Sequence, residues 1–390
     1  MDRLIALEKI ETAFRTGRVV AILGPRQSGK TTVARKYFNE HDGKKENYFD
    51  LENPRDLIRL QDPMLALEHL SGLIVIDEIQ RVPELFSVLR VLVDEDNLTY
   101  KKQFLVLGSA SRELISQSSE SLAGRIRYIE LMPFSVTEIG KIDNKNMDRL
   151  WVRGGFPLAY LAKTEQDSDE WRMDYIRTFL EQDIPNLGIS IPPANLRRFW
   201  TMLASYHGQL FNASEIGNAL SLSSHTTQRY CDLLTSTFMI RQLNPWHENI
   251  SKRQVKSKKI YFRDSGIFHS LLGIPDLASL RLNPKIAASW EGFALESIIR
   301  YLKVDSHDCY FWRTHSQAEL DLLVVRGSKR IGFEFKYSAA PSTTKSMHSA
   351  LNDLALDKIW VIYPGNILIK LTEKIHCVGL NILEAGSFEF

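Results

Sequence analysis

A parallel α/β sheet with helices on both faces, then a stretch of short helices, then a smaller α/β domain, is the fold class that this 390-residue sequence predicts. Three observations predict it. Short apolar runs alternate with amphipathic stretches through roughly the first 150 residues, as strands joined by right-handed helical crossovers do. One of those runs, Val19–Leu23, empties into a glycine turn that opens a helix. After an interval of short helical patterns, paired alternating strands return from about residue 276 onward.

Taken in order, Leu4, Ile5, Leu7, Ile10 and Phe14 recur at helical spacing and predict a helix before the first strand. The turn that follows the first strand reads Gly24-Pro25-Arg26-Gln27-Ser28-Gly29-Lys30-Thr31-Thr32, the G-x-x-x-x-G-K-[ST] spacing between a strand and a helix. Glycines let the backbone close around an anion, so that N–H groups at a helix N-terminus point at phosphate oxygens. Lys30 then supplies charge to the β/γ-phosphates, and the Thr31 hydroxyl is a ligand for Mg²⁺. The whole turn, Gly24 to Thr32, is the expected nucleotide-binding loop, with ATP and Mg²⁺ as cofactors.

Four further strands are expected at Tyr48–Leu51, Leu73–Ile76, Phe104–Leu107 and Arg127–Leu131. The second of these ends in Asp77-Glu78. Acids beyond the carboxyl end of a parallel strand are costly unless something positive is bound. Asp77 suits the metal and Glu78 suits polarising the attacking water. Ser109, after the next strand, is a candidate reporter on the γ-phosphate, although a Gly-Ser turn without a role reads equally well. Arg125 is a candidate arginine finger, in cis or from a second subunit, against the reading as an ordinary surface arginine.

These segments, with Tyr48-Phe49-Asp50-Leu51-Glu52-Asn53-Pro54, Asp77-Glu78-Ile79-Gln80 and Leu122-Ala123-Gly124-Arg125, resemble the predicted AAA+-type P-loop ATPases of bacteria and archaea, in which a domain of unknown function follows the ATPase core. The resemblance implies a core over residues 1–150 in which an inserted strand separates the acidic strand from the phosphate-loop strand. It supplies no substrate.

Residues 151–275 read as a helical region with a winged helix. Short helices are expected at Asn195–Tyr206, Ser214–Leu220 and Ser224–Phe238, with the turn Ser221-Leu222-Ser223 between the last two. Tyr230, Leu233, Leu234 and Phe238 would face inward. His225, Gln228 and Arg229 would face out, where recognition helices meet base edges. A basic loop follows, holding Lys252, Arg253, Lys256, Lys258 and Lys259, and phosphate contact needs such charge. The same run also reads as a solvated face on a protein-binding spacer.

Residues 276–390 hold a helix from Trp290 to Leu302 with Glu291 and Glu296, then two strands carrying Glu319, Asp321, Glu334 and Lys336. Side chains two apart on a strand share a face, so these carboxylates would converge with one ammonium across a hairpin. A divalent cation held by oxygens would neutralise them. The arrangement resembles the PD-(D/E)XK nuclease core. That resemblance assigns Asp321 and Glu334 as metal ligands, Lys336 as the catalytic lysine and Glu296 as the helix acid, with a second Mg²⁺ or Mn²⁺ as cofactor. A solvated outer face with a Glu/Lys pair would give the same letters.

Composition bounds the rest. A net charge of +2 leaves nucleic-acid affinity to local patches. Three scattered cysteines argue against a disulfide framework and for a reducing cytoplasm. No apolar run reaches membrane-spanning length. The expectation is a cytoplasmic ATP-hydrolysing switch or motor acting on nucleic acid, DNA before RNA, and homo-oligomeric if Arg125 acts in trans. The alternative is a regulatory NTPase whose winged helix and last domain bind protein partners and cut nothing.

Overall fold

The computed structural model describes residues 3–95, 102–109, 124–140, 143–247, 255–382 and 388. The chain divides into two compact units: unit 1 is Met1–Pro133 with Ile184–Ile189 and Ser236–Met239, and unit 2 is Phe134–Asp183, Ser190–Thr235 and Ile240–Phe390.

Among the described residues, unit 1 is built on five parallel strands, β1 (Val19–Leu23), β2 (Tyr48–Asp50), β3 (Gly72–Asp77), β4 (Lys102–Gly108) and β5 (Ile126–Glu130), in the order β2-β3-β4-β1-β5. The expected inserted strand is β4, which lies between the acidic strand β3 and the loop strand β1. Alternation along these apolar strands fills two layers. Val19, Ala21, Ile74, Ile76, Phe104 and Val106 pack with Phe86 and Leu89 of the helix Leu85–Glu95. On the other face Val20, Ile22, Val75, Leu105 and Leu107 pack with Ile10 of the helix Leu4–Phe14 and with Val33, Ala34 and Tyr37 of the helix Lys30–Glu40. Strands buried on both faces must be apolar throughout, which is why the inner strands β1, β3 and β4 read as continuous and not as alternating, unlike the more exposed edge strand β5.

Among the described residues, unit 2 contains nine strands in one sheet: β6 (Gln209–Leu210), β7 (Ile240–Pro245), β8 (Lys259–Phe262), β9 (Cys309–Arg313), β10 (Glu319–Arg326), β11 (Lys329–Phe335), β12 (Lys358–Tyr363), β13 (Leu368–Lys370) and β14 (Ile375–Gly379). Their order is β13-β14-β12-β11-β10-β9-β7-β8-β6. Residues 151–275 and 276–390, expected as separate domains, therefore share a sheet, because β7 pairs in parallel with β9 through Asn244↔Tyr310 and Pro245↔Phe311. Helices Pro193–Ser205, Ala213–Leu220 and Ser224–Ser236 accompany the β6-β8-β7 end. Gly217 makes the turn between the last two tight, since a Cβ there would lie 2.7 Å from the Leu222 carbonyl oxygen. The last helix ends at Ser236, and Phe238, expected on its inner face, takes φ of +65° and packs in the core of unit 1.

The helix Ile286–Leu302 supplies Leu295, Ile298 and Ile299 to the cluster containing Phe311, Leu322, Phe333 and Ile362, while the helix Lys345–Asp353 packs Met347 and Ala350 against Leu320, Leu323, Ile359 and Val361. The β10–β11 hairpin closes through Arg326↔Lys329, with Gly327 at φ +60° where a two-residue turn needs a left-handed residue. Cys231, Cys309 and Cys377 are buried free thiols. Among the described residues no helix is long and apolar enough to cross a membrane.

Candidate functional site

The carboxyl ends of β1, β3 and β4 bring the predicted residues of unit 1 together. After β1 the chain closes in a tight loop in which Gln27 and Gly29 take φ of +60° and +94°. Left-handed residues in such a turn aim successive N–H groups inward. Gly24 cannot carry a side chain, because a Cβ would meet the Leu131 carbonyl oxygen at 2.1 Å. Lys30 Nζ donates to the Gly24 and Pro25 carbonyls at 3.0 and 2.9 Å. The Ser28 hydroxyl is fully buried and has no hydrogen-bond partner among the described residues. Arg26 pairs with Glu52 at 2.5 Å, and Thr32 is exposed. From the far end of the chain segment, the buried Arg3 donates to the carbonyls of Ser28 at 2.8 Å and Met132 at 2.7 Å, pinning the loop from beneath.

Thr31 Oγ1 donates to Asp77 Oδ2 at 2.8 Å, and the Tyr48 hydroxyl donates to the same oxygen at 3.2 Å. Burial pushes the Asp77 carboxyl up to about 6, against the Thr31 hydrogen bond and Lys30, which favour its ionised form. A carboxylate so placed is costly without a cation. A hydroxyl and a carboxylate 2.8 Å apart, beside an orphaned serine in an N–H-lined loop, fit Mg²⁺ on a nucleotide's phosphates.

Glu78 begins the turn after β3 with φ of +59°, a conformation rare outside glycine. Its carboxylate accepts from the Gln80 amide and, at 3.4 Å, from the Ser109 hydroxyl. The Gln80 amide also reaches Ser109 Oγ at 2.9 Å, and the Ser109 N–H donates to Gln80 Oε1 at 3.3 Å. Gln80 was not singled out as a site residue from the sequence. The signal was its place two residues after Glu78, level with the end of the neighbouring strand. Arg125, in contrast, does not join this group. It precedes β5, whose Ile126 pairs with Val19 at the amino end of β1, so it lies roughly 20 Å of strand away from the loop. There it pairs with Asp94 at 2.6 Å, both side chains exposed. That position is too far from the loop for a finger in cis.

In unit 2 the predicted residues meet differently from expectation. Lys336 Nζ pairs with Glu334 Oε2 at 2.9 Å, and Asp321 Oδ2 accepts from the Phe335 N–H at 3.0 Å. The β9–β10 register shifts between Leu320 and Leu323, which breaks strict alternation near Asp321. Of the two glutamates on the helix Ile286–Leu302, Glu291 and not Glu296 lies in the group of Lys259, Glu319 and Asp321. The two are five residues apart, about 140° around a helix, and cannot share a face. Glu296 sits among arginines: Arg241 grips it through Nε and, at 3.1 Å, through Nη2, with Arg263 and Arg300 at 3.5 and 3.9 Å. Burial alone would raise its carboxyl, but these guanidiniums hold it at about 2.

Between the remaining acids stands Lys259, which sequence reading placed in the basic loop. It is 2% exposed. Its Nζ is ion-paired with Glu319 and lies 3.5 Å from Glu291 Oε1 and 3.8 Å from Asp321 Oδ1. Tyr261, two residues on along β8, donates its hydroxyl to Glu291 at 2.6 Å. Burial pushes Glu291 up to about 7 and, with the charge of Asp321, Glu334 up to about 8. The Lys259 ammonium already occupies the space between Glu291, Glu319 and Asp321, and a divalent ion on the same oxygens would stand beside a like charge. The residues present therefore do not fit the second Mg²⁺ or Mn²⁺. The signal was available in Lys259-Ile260-Tyr261-Phe262, where period 2 puts the lysine and the tyrosine on one face.

Of the nucleic-acid candidates, His225 and Arg229 are exposed, while Gln228 is half-buried and donates to Asp232 at 2.8 Å. Lys256 and Lys258 are exposed, and Lys252 and Arg253 lie outside the described residues.

An AAA domain model matches residues 16–140, and two domains of unknown function, DUF8612 and DUF4143, match residues 144–278 and 287–383. The chain resembles two uncharacterized proteins, Mb2031c of Mycobacterium bovis and Rv2008c of Mycobacterium tuberculosis, each 47% identical over 390 residues, the whole of this chain and 86% of theirs. Among solved structures it resembles the Walker-type ATPase PABY2304 of Pyrococcus abyssi, at TM-score 0.49 and 15% identity over 70% of this chain and 95% of that one. It also resembles the Orc1 protein of Aeropyrum pernix in complex with DNA, at TM-score 0.35 and 12% identity over 72% of this chain and 94% of that one. By its extent and identity, the match to the two mycobacterial proteins shows that this chain belongs to their family, with an AAA-type ATPase domain as its first part.

Proposed function

We propose that this chain is an ATP-hydrolysing switch whose turnover responds to nucleic acid, duplex DNA in the first instance. The observation that carries the reading is the Thr31–Asp77 contact at 2.8 Å with the Glu78–Gln80–Ser109 group beside it. The loop Gly24–Thr32 and Lys30 would hold the phosphates; Thr31 and Asp77 would hold Mg²⁺, which would neutralise charge on the phosphates. Glu78 orients and deprotonates the attacking water. Gln80 and Ser109 fix the Glu78 rotamer, and a residue in a left-handed turn has few ways to compensate if they are lost.

Support for nucleic-acid contact comes from the exposed His225 and Arg229 at the N-terminal half of the helix Ser224–Ser236, in a winged-helix order of elements, and from the exposed Lys256 and Lys258 before β8. Such contacts act through phosphate charge and weaken as salt competes. The β10–β11 hairpin with Asp321, Glu334 and Lys336, after an acid-bearing helix, supports the likeness of unit 2 to a nuclease core in fold. Fold alone confers no cleavage.

The test is ATP turnover by the full chain with and without duplex DNA across a salt series. Stimulation at low salt that fades as salt rises is expected, with turnover lost in Lys30→Ala. No stimulation at any salt sinks the nucleic-acid part and leaves the second reading, a regulatory NTPase whose unit 2 binds protein partners. Lys259 among the acids of unit 2 favours that reading as far as cleavage is concerned.

A further inference from the structure

We infer that Lys259 is a built-in counter-ion for Glu291, Glu319 and Asp321, the last of these one of the two acids that a nuclease-like centre would give to its divalent cation, and that it turns the acidic centre of unit 2 into a metal-free staple. The inference rests on the likeness of the β10–β11 hairpin to a nuclease core proposed above.

The carboxylates of this centre are already satisfied. Glu319 pairs with Lys259 and, at 3.5 Å, with Arg313. Glu291 accepts from the Tyr261 hydroxyl at 2.6 Å, Asp321 from the Phe335 N–H at 3.0 Å, and Glu334 from Lys336 at 2.9 Å. A divalent ion needs oxygens at about 2.0–2.6 Å and would have to displace these donors one by one. The Lys259 ammonium makes no such demand, because its three N–H groups spread over oxygens at hydrogen-bonding and ion-pairing distance.

Nor can the lysine swing aside easily. β8 is the middle strand between β7 and β6, with Lys259 opposite Leu243 on one side and Leu210 on the other, so its backbone is held by two ladders. Its Nζ also lies 5.9 and 5.7 Å from the ring centroids of Tyr261 and Phe311, which favour a cation. Burial would lower its ammonium, yet the surrounding acids and Tyr261 raise it well above the ordinary value, so it keeps its charge. The physical role follows: Lys259 and Tyr261 tie the short β6-β8-β7 end of the sheet to β10 and to the helix Ile286–Leu302.

Mn²⁺ binding to the full chain, without nucleotide and read by electron paramagnetic resonance, tests this. Wild-type protein is expected to show no Mn²⁺ site that depends on Asp321. Lys259→Met removes the charge while keeping the stem, and is expected to gain about one Mn²⁺ per chain, lost again when Asp321→Asn is added. A wild-type site abolished by Asp321→Asn overturns the inference, and so does a folded Lys259→Met or Lys259→Gln protein that binds none. Should neither variant fold, the wild-type titration with its Asp321→Asn control decides by itself. DNA stimulation of ATP turnover, measured on the same preparation, reports separately on the functional reading, so that one can fail while the other stands.

Discussion

Each unit buries carboxylates near strand ends, and the two units neutralise them by different means. In unit 1, Asp77 has a hydroxyl and the phosphate-loop lysine beside it, a set that fits a divalent ion on a nucleotide. In unit 2, Glu291, Glu319 and Asp321 surround a lysine of the same chain, and Glu296 is enclosed by three arginines. The acids are of one chemical kind, so the difference lies in the cation. A centre that leaves its positive charge to a ligand can cycle with that ligand. A centre that carries its own is a fixed part of the fold, and breaking such a pair leaves an uncompensated buried charge.

The comparison can be broken at several points. The largest effect is expected from Glu78→Gln, which should lower kcat for ATP roughly 10³-fold while nucleotide still binds, as phosphate release and a nucleotide titration would show. Next is Glu296→Gln, expected to destabilise unit 2 by about 3–5 kcal/mol in urea unfolding, since three guanidiniums lose their partner. The same group sets a pH dependence. Its folded value of about 2 lies below the ordinary 4.5, so its stabilisation is full above pH 4.5 and is lost as pH falls towards 2. That loss is about 3 kcal/mol at roughly 1.4 kcal/mol per unit, and the Glu296→Gln protein should lack it in an acid titration.

Gln80→Ala sharpens the unit 1 side. Loss of the Glu78 support should lower kcat about tenfold with little change in KM, a split that separates positioning from nucleotide binding. The smallest effect belongs to Arg125→Ala. Its exposed pair with Asp94 is worth under about 1 kcal/mol, and turnover by isolated monomers should not change. A fall in turnover only at concentrations where the chain self-associates would assign it to a neighbour's site.

Much of unit 1 was legible because its chemistry is written in consecutive residues. Gly24 to Thr31 and Asp77-Glu78 each sit where a strand gives way to a turn, and local backbone geometry fixes their direction. The place of Arg125 was not legible in the same way, because it depends on which end of β5 the residue occupies, and that is a matter of strand register. Glu296 was chosen over Glu291 although helical spacing forbids both from facing one centre, and the three arginines that claim it come from β7, the end of β8 and its own helix.

The sequence by itself determined the strand-loop-helix with the phosphate-loop spacing, the acids at the end of another strand, and the order of helices and strands that follows. Only the tertiary structure decided which cation each acid meets. The reason is that Lys259 and Glu291 are joined by sheet pairing and helix packing across 32 residues of chain, and Lys259 and Asp321 across 62, distances over which no local pattern carries information.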